Sequence, residues 1–371
     1  MRFQLDEEYD LTRAAVRDYA DGELAGGALE RDEQEQFDRS LFDSMAAMGL
    51  TGIPISEQWG GAGSDLLAYT IVLEEISRVC ASAASILRAH TTATWTIGQY
   101  GSMLEEELMS LTTGARLGAF TFTGQDLRRK RVIHGSYILN GKISSVDQAG
   151  AADDYLILVK QANGRVSLSV VPKEITGLSV GTKMNKLGLR SVPTAELCFQ
   201  SCHSQFINAV NKESEALSIR ANGSLIVNAI NDMQSIGLAA QATGIAQGAL
   251  DRSIAYAKER TQFGRPIGRQ QGVAFKLADM AANVEASRWL VYDAAWSMDK
   301  GLSSSGKAMM AKRFALKQAV ATAIEAVQIF GGYGYMKEYH VERYLRDAKC
   351  LEASSDDELE YAAILSSLET E

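Results

Sequence analysis

Apolar residues recur at helical spacing along the first part of the chain. Leu41, Met45, Met48 and Leu50 make one stripe, and Tyr69, Val72, Leu73, Ile76 and Val79 make another. Between them, Trp59-Gly60-Gly61-Ala62-Gly63-Ser64 reads as a loop. No strand precedes it and the dinucleotide spacing is incomplete, which argues against a phosphate cradle. From Arg116 to Phe206 the period changes. Tyr137-Ile138-Leu139 followed by Asn140-Gly141 predicts a strand running into a tight turn. Tyr155-Leu156-Ile157-Leu158-Val159, Val166-Ser167-Leu168-Ser169-Val170 and Ala195-Glu196-Leu197-Cys198-Phe199 predict further strands of a compact β region. Helical patterns then return over 236–259, 274–298, 308–330 and 341–367, with a loop at 301–306. Four helices of that length suit a bundle that buries their apolar stripes. Trp289, Tyr292 and Trp296, at i, i+3 and i+7, are read as packing inside it. The order is helical, β, helical, with expected divisions at 1–115, 116–215 and 216–371, and the fold class is α+β, mainly α.

Composition supports this pattern. The 371 residues leave room for two or three domains, and only 4 are proline against a usual ~5%, so long uninterrupted helices are expected. Glycine, at 32, supplies the turns. The net charge of −9, from 37 basic and 46 acidic residues, argues against a nucleic-acid partner, because no broad basic surface is available to displace counterions. No apolar run reaches the ~18 residues of a membrane span. The acidic start of the chain lacks the features of a secretion signal, so a cytoplasmic location is expected. Cys80, Cys198, Cys202 and Cys350 are scattered and read as ordinary thiols rather than a disulfide or metal pair. His90, His134, His203 and His340 have no metal-ligand spacing, and no metal site is expected.

Two octets carry candidate chemistry. Arg260-Thr261-Gln262-Phe263-Gly264-Arg265-Pro266-Ile267 gathers a guanidinium, an aromatic ring and a glycine at a helix end. That set suits an anionic ligand bearing a heterocycle, and equally a basic C-terminus complementing its helix dipole. Gln328-Ile329-Phe330-Gly331-Gly332-Tyr333-Gly334-Tyr335 follows the third bundle helix. Its adjacent glycines cap the helix and also let another molecule approach the backbone, where Gln328 can hydrogen-bond it.

In this order on bundle helices, the octets closely resemble the acyl-CoA dehydrogenase family. Leu73-Glu74-Glu75-Ile76-Ser77-Arg78, Lys186-Leu187-Gly188-Leu189-Arg190, Gly244-Ile245-Ala246-Gln247 and Arg346-Asp347-Ala348-Lys349 extend the likeness over about residues 8–350. The resemblance implies an N-terminal helical domain, a central β-barrel-like domain and a C-terminal four-helix bundle. It implies FAD, held by Thr123, Arg260, Gln262, Phe263, Gly264, Gln328, Gly331 and Gly332, and an acyl thioester carried by CoA or an acyl-carrier protein. A homodimer or homotetramer is implied too. In the family a Glu carboxylate takes the α-proton while the β-hydrogen leaves as hydride to the flavin.

This sequence departs from the family at the base. Counted from Arg346-Asp347-Ala348-Lys349, the usual Glu position falls on Ser355, which has no useful basicity near neutral pH without an activating partner. The alternative position on the first bundle helix falls on Gln234, with Ser235 where an Arg is usual. A shift would offer Asp356, Glu358 or Asp232, although Asp356-Asp357-Glu358 also reads as a solvated acidic start to a helix. The flavin wall differs as well. Thr123-Gly124-Gln125 keeps only the threonine, Ser145-Val146-Asp147 replaces an indole, and the terminal Thr-Ser-Glu falls on Asp357-Glu358-Leu359. What the chain would lend to a neighbour's FAD is kept, and much of what it would use itself is altered. The leading reading is therefore an FAD-dependent oxidation of an acyl thioester with the usual base missing. The alternative is a non-catalytic subunit completing a partner's FAD site in a heteromeric dehydrogenase, and oxygen activation by reduced flavin is a third. Arg128-Arg129-Lys130-Arg131, read as a loop, would suit the phosphates of CoA or an acidic carrier, or stand solvated at a loop tip.

Overall fold

The computed structural model describes residues 5–101, 105–122, 127–131, 136–160, 166–207, 219–302, 305–353 and 357–369. Six helices open the chain: α1 Glu7–Tyr19, α2 Ala28–Gln34, α3 Arg39–Ala47, α4 Leu66–Val79, α5 Ala81–Tyr100 and α6 Glu105–Thr112. Aspartate side chains cap two of them. Asp38 accepts from the Ser40 backbone N–H and Asp65 from that of Ala68, satisfying donors that a helix N-terminus leaves free. The predicted stripes are found on α3 and α4, with Leu50 buried in the 3-10 turn Leu50–Gly52 that follows α3. Met48 is the exception, 45% exposed, because α3 ends at Ala47 and its side chain falls past the buried face. Nearly every residue of α4 and α5 is buried, so this pair forms the centre of the first helical group.

Seven strands follow: β1 Gly118–Phe122, β2 Arg128–Arg131, β3 Ser136–Asp147, β4 Asp154–Lys160, β5 Val166–Pro172, β6 Leu178–Val180 and β7 Thr194–Ile207. They form one sheet in the order β1-β4-β5-β7-β3-β2, with β6 also paired to β7. β1 and β4 run parallel and the other pairs antiparallel. Asn140-Gly141 does not make the expected turn. β3 continues through it opposite the long β7, and the register shifts between Leu139 and Gly141. Gly141 takes φ 123, and the Asn140 Oδ1 accepts from the Ser201 backbone N–H at 2.8 Å. A turn signal is spent on a bulge because a partner strand extends past it on both sides. Arg128–Arg131 is likewise an edge strand rather than a loop, paired with Tyr137 to Asn140.

The second helical group comprises α7 Ile219–Glu259, α8 Gln271–Asp299, α9 Ser305–Phe330, α10 Val341–Glu352 and α11 Asp357–Glu369. The expected loop at 301–306 is shorter, since Gly306 is already buried in the first turn of α9, and the expected single region 341–367 comprises two helices. Tyr292 is buried at 4% exposure, but Trp289 and Trp296 are 37% and 45% exposed. The buried stripe of α8 runs through Met280, Val284, Ser287, Val291 and Ala295, and both indoles flank it. The helical spacing was right, and it placed the tryptophans at the margin of the stripe.

The motif residues tie these groups together. Glu74 accepts from Arg288 Nε and from the Tyr292 hydroxyl, both at 2.8 Å, and Glu75 takes two bonds from Arg17 at 2.9 Å. Asp347 accepts from the Leu189 backbone N–H at 2.7 Å, and Arg346 reaches Asp32 and the Leu187 carbonyl. Buried charges of this kind are held by partners on other elements, so losing one partner strands the other. No helix among the described residues is long and apolar enough to cross a membrane, and the four cysteines are free thiols.

Candidate functional site

Two concavities collect the candidate residues. The outer one lies where α7 and α9 end. After Glu259 the chain forms a small hairpin, β8 Thr261–Gln262 and β9 Arg265–Pro266, turning at Phe263 (φ 54) and Gly264 (φ 75). After Phe330 a short 3-10 turn spans Gly331–Tyr335. Together they border a cleft of about 570 Å³ that includes Tyr256, Arg260, Gln262, Gly331, Gly332 and Tyr333. The Arg260 guanidinium lies 5.5 Å from the centre of the Tyr333 ring, and Tyr256 stacks on Phe330 at 4.0 Å. Added Cβ atoms on Gly331 and Gly332 would meet nothing within 4 Å, so their backbone is open to a ligand. A guanidinium, an amide, aromatic rings and bare backbone fit the phosphates and heterocycle of a dinucleotide.

Of the residues expected to hold a cofactor, Arg260, Gln262, Gly331 and Gly332 come together here. Phe263, 91% exposed, and Gly264 stand out on the hairpin tip, and Gln328 is exposed on the last turn of α9. Thr123, Ser355 and Asp356 lie outside the described residues. Glu358 falls in the first turn of α11.

The inner concavity, about 710 Å³, lies where the sheet meets the two helical groups. β1 and β3 supply Phe120, Thr121, Phe122, Ser145 and Asp147, and α5 supplies Arg88 and Ala89. α7 contributes Asn228, Asn231, Asp232, Gln234, Ser235 and Leu238. Ser305, Met309 and Lys312 of α9 and Ala363 and Ser366 of α11 complete the described walls. Asp232 is buried, 4% exposed, and accepts from the Ser305 hydroxyl at 2.9 Å. Asp147 accepts from the Thr194 hydroxyl at 2.6 Å, and Thr194 in turn accepts from Lys186 Nζ at 2.8 Å. Burial pushes the Lys186 ammonium below the usual lysine range. Beneath the wall, His90 is pinned between two elements: its Nδ1 accepts from the Gly118 backbone N–H at 3.0 Å and its Nε2 lies 3.0 Å from the Leu111 carbonyl. That pairing fixes the proton on Nε2, and burial lowers the imidazole to about 4.

The helix positions weighed in the sequence, Asp232, Gln234 and Ser235, and the altered wall residues Ser145 and Asp147 therefore share one cavity. Sequence reasoning missed Arg88 and Lys312. Burial would have singled out Arg88, since every other residue from 81 to 97 is buried, but that is a property of the fold and not of the local sequence. Among the described residues no cluster of three His, Cys, Asp or Glu side chains could hold a metal ion.

Comparison with known proteins agrees with this fold. The family profile described as acyl-CoA dehydrogenase, N-terminal domain, matches residues 6–107, and that of the C-terminal domain matches residues 223–355. An acyl-CoA dehydrogenase of Bacillus subtilis (strain 168) is 43% identical over 360 residues, covering 92% of this chain and 93% of its own. The solved structure of butyryl-CoA dehydrogenase from Megasphaera elsdenii superposes with a TM-score of 0.90 at 32% identity, over 99% of this chain and 100% of that one. The prolyl acyl carrier protein oxidase AnaB is also similar, with a TM-score of 0.88 at 25% identity over 98% of this chain and 100% of its own.

Proposed function

Because the chain belongs to the acyl-CoA dehydrogenase family, we propose that it binds FAD and oxidises an acyl thioester between its α and β carbons. The observation that carries this reading is the inner cavity, which the sheet and both helical groups close around a buried carboxylate, Asp232. FAD, when bound, supplies the two-electron acceptor for the hydrogen that leaves the β carbon. Arg260 and Gln262, with the bare backbone of Gly331 and Gly332, hold the dinucleotide by its phosphates and polar edges. Asp232 takes the α-proton onto a carboxylate oxygen. The Ser305 hydroxyl orients that carboxylate, whose own burial limits competition from water.

The test uses the full chain loaded with FAD and mixed with butyryl-CoA, followed by loss of flavin absorbance. Positioned acid–base catalysis is worth roughly 10²–10⁴-fold, so Asp232→Asn should slow flavin reduction by that order while acyl-CoA binding persists. If Asp232→Asn keeps full rate and Asp356→Asn or Glu358→Gln loses it, the base sits in the segment that begins α11. Thioesters of CoA and of an acyl-carrier protein, compared in the same assay, identify the carrier.

A second reading rests on the outer cleft, whose hairpin presents Phe263 away from its own chain. In it, this chain completes the FAD site of a related partner subunit. Flavin counted per chain in the protein purified alone separates the two. About one FAD per chain, reducible by a thioester, supports the self-sufficient enzyme.

A further inference from the structure

The inner cavity sets charged side chains among an apolar lining that includes Phe120, Phe122, Leu238 and Met309. Arg88, Asp147, Asp232 and Lys312 all border it. A hydrocarbon filling this space would cover the Arg88 guanidinium and the Asp147 carboxylate without offering either a hydrogen bond, at a cost that good apolar packing does not offset.

Arg88 is held as a built feature. Its stem crosses α7 at Gly237, where an added Cβ would stand 3.1 Å from Arg88 Cγ and 3.2 Å from its Cδ. Its Nε donates to Gln241 Oε1 at 3.1 Å. Gln241 is fully buried and fixed in turn, donating to the Ala81 carbonyl at 2.8 Å and to Ser85 Oγ at 2.6 Å. The guanidinium is thus aimed by one nitrogen. Among the described residues its two terminal nitrogens find no hydrogen-bond acceptor. Asp147, on the sheet side of the cavity, acts on Arg88 electrostatically without forming an ion pair with it. Nearby, the Tyr69 hydroxyl is buried with no hydrogen-bond partner and lies against the same notch at Gly237.

A donor with free N–H groups and a carboxylate with free lone pairs border one space. The group that satisfies both must accept from Arg88 and donate to Asp147. A hydroxyl does both, a methyl does neither, and a second carboxylate would meet repulsion from Asp147. We propose that the acyl group taken by this cavity carries a hydroxyl beyond its β carbon, held between Arg88 and Asp147. The proposal rests on the thioester reading above and names its substrate class.

Binding, rather than turnover, tests it. The FAD-loaded full chain is titrated calorimetrically with 4-hydroxybutanoyl-CoA and 5-hydroxypentanoyl-CoA, with their isosteres pentanoyl-CoA and hexanoyl-CoA, and with glutaryl-CoA. At least one hydroxyacyl thioester should bind at least tenfold tighter than its isostere, because a site built for a hydroxyl penalises a ligand that leaves its buried groups unpaired. Arg88→Met should abolish that preference while leaving the alkyl thioester's affinity unchanged or improved. Equal or tighter binding of both isosteres overturns the proposal, as does a preference that survives Arg88→Met. Tightest binding of glutaryl-CoA also overturns it, in favour of a carboxylate. If no thioester binds, the thioester reading of the cavity fails as well, whereas alkyl binding without a hydroxyl preference sinks only the present inference. Should Arg88→Met not fold, the preference of the unaltered protein decides, with Asp147→Asn as the second variant.

Discussion

The two concavities are built on opposite principles. The outer cleft is assembled from two short segments and leaves its aromatic tip, Phe263, in solvent. The inner cavity draws on the sheet and on helices from both ends of the chain, with Asp232, Ser235 and Lys312 buried in its wall and Arg88 and Asp147 held by bonds to Gln241 and Thr194. Recognition in the first is local and presented outward. In the second it depends on the whole fold being in place. Damage to the fold should therefore reach the inner cavity first, and damage to motif residues should stay at the outer cleft.

Acid offers the largest test of that division. The His90 imidazole is held at about 4, below its ordinary value, so the neutral ring stabilises the fold above pH 6.5 and that contribution is lost as pH falls towards 4. The full loss amounts to about 3 kcal/mol. Asp299 acts in the opposite sense. Burial raises its carboxyl to about 6, so its contribution is greatest in acid and declines as pH climbs from about 4 to 6. Denaturation measured between pH 4 and 7 should show a steeper acid loss in Asp299→Asn than in the unaltered protein. The protection factor of the Gly118 amide, the donor to His90, should fall over the same range once exchange is corrected for its intrinsic pH dependence.

Next in size, Arg260→Ala combined with Gln262→Ala should weaken FAD binding by about 100-fold, the loss of a charge-assisted contact plus one neutral one. Flavin retained per chain after dialysis measures it, and the denaturation midpoint of the flavin-free protein should not move. A shifted midpoint would mean that the outer cleft is structural after all. Gln241→Leu is the complementary change. It strands Arg88 Nε, the Ala81 carbonyl and Ser85 Oγ, and should cost about 2 kcal/mol in chemical denaturation. Phe263→Ser should be the mildest, within about 0.5 kcal/mol of unaltered stability, since the ring touches little of its own chain. Only flavin content or subunit assembly would register its loss.

The same contrast explains what the sequence disclosed. Long helices were legible because prolines are scarce and apolar periods are unbroken, and the outer cleft was legible because its residues are neighbours in the chain. The inner cavity joins residues as far apart as Arg88 and Ser366, and nothing local marks them as companions. Asp147 was noticed for what it replaces, yet its relation to Arg88 exists only once β3 faces α5. Asn140-Gly141 carried a true signal for irregular backbone, and the length of β7 decided that the irregularity would be a bulge. Trp289 and Trp296 had helical spacing without burial, because periodicity locates a face and leaves open how far across it the neighbouring helices reach.

Gly237 is not part of the inner cavity's described lining, yet its missing side chain leaves room for the Arg88 stem. A single methyl at this position would press on the arginine stem, which would have to give by a few tenths of an ångström, and so would re-aim the guanidinium without altering any residue that borders the cavity. In a lineage, such a position works as a tuning screw: preference can drift, reverse and be recovered by one codon while the chemistry next door is left alone. Selection for a new thioester would then leave its trace on the far side of a helix, where a search for substrate-contacting residues would not look.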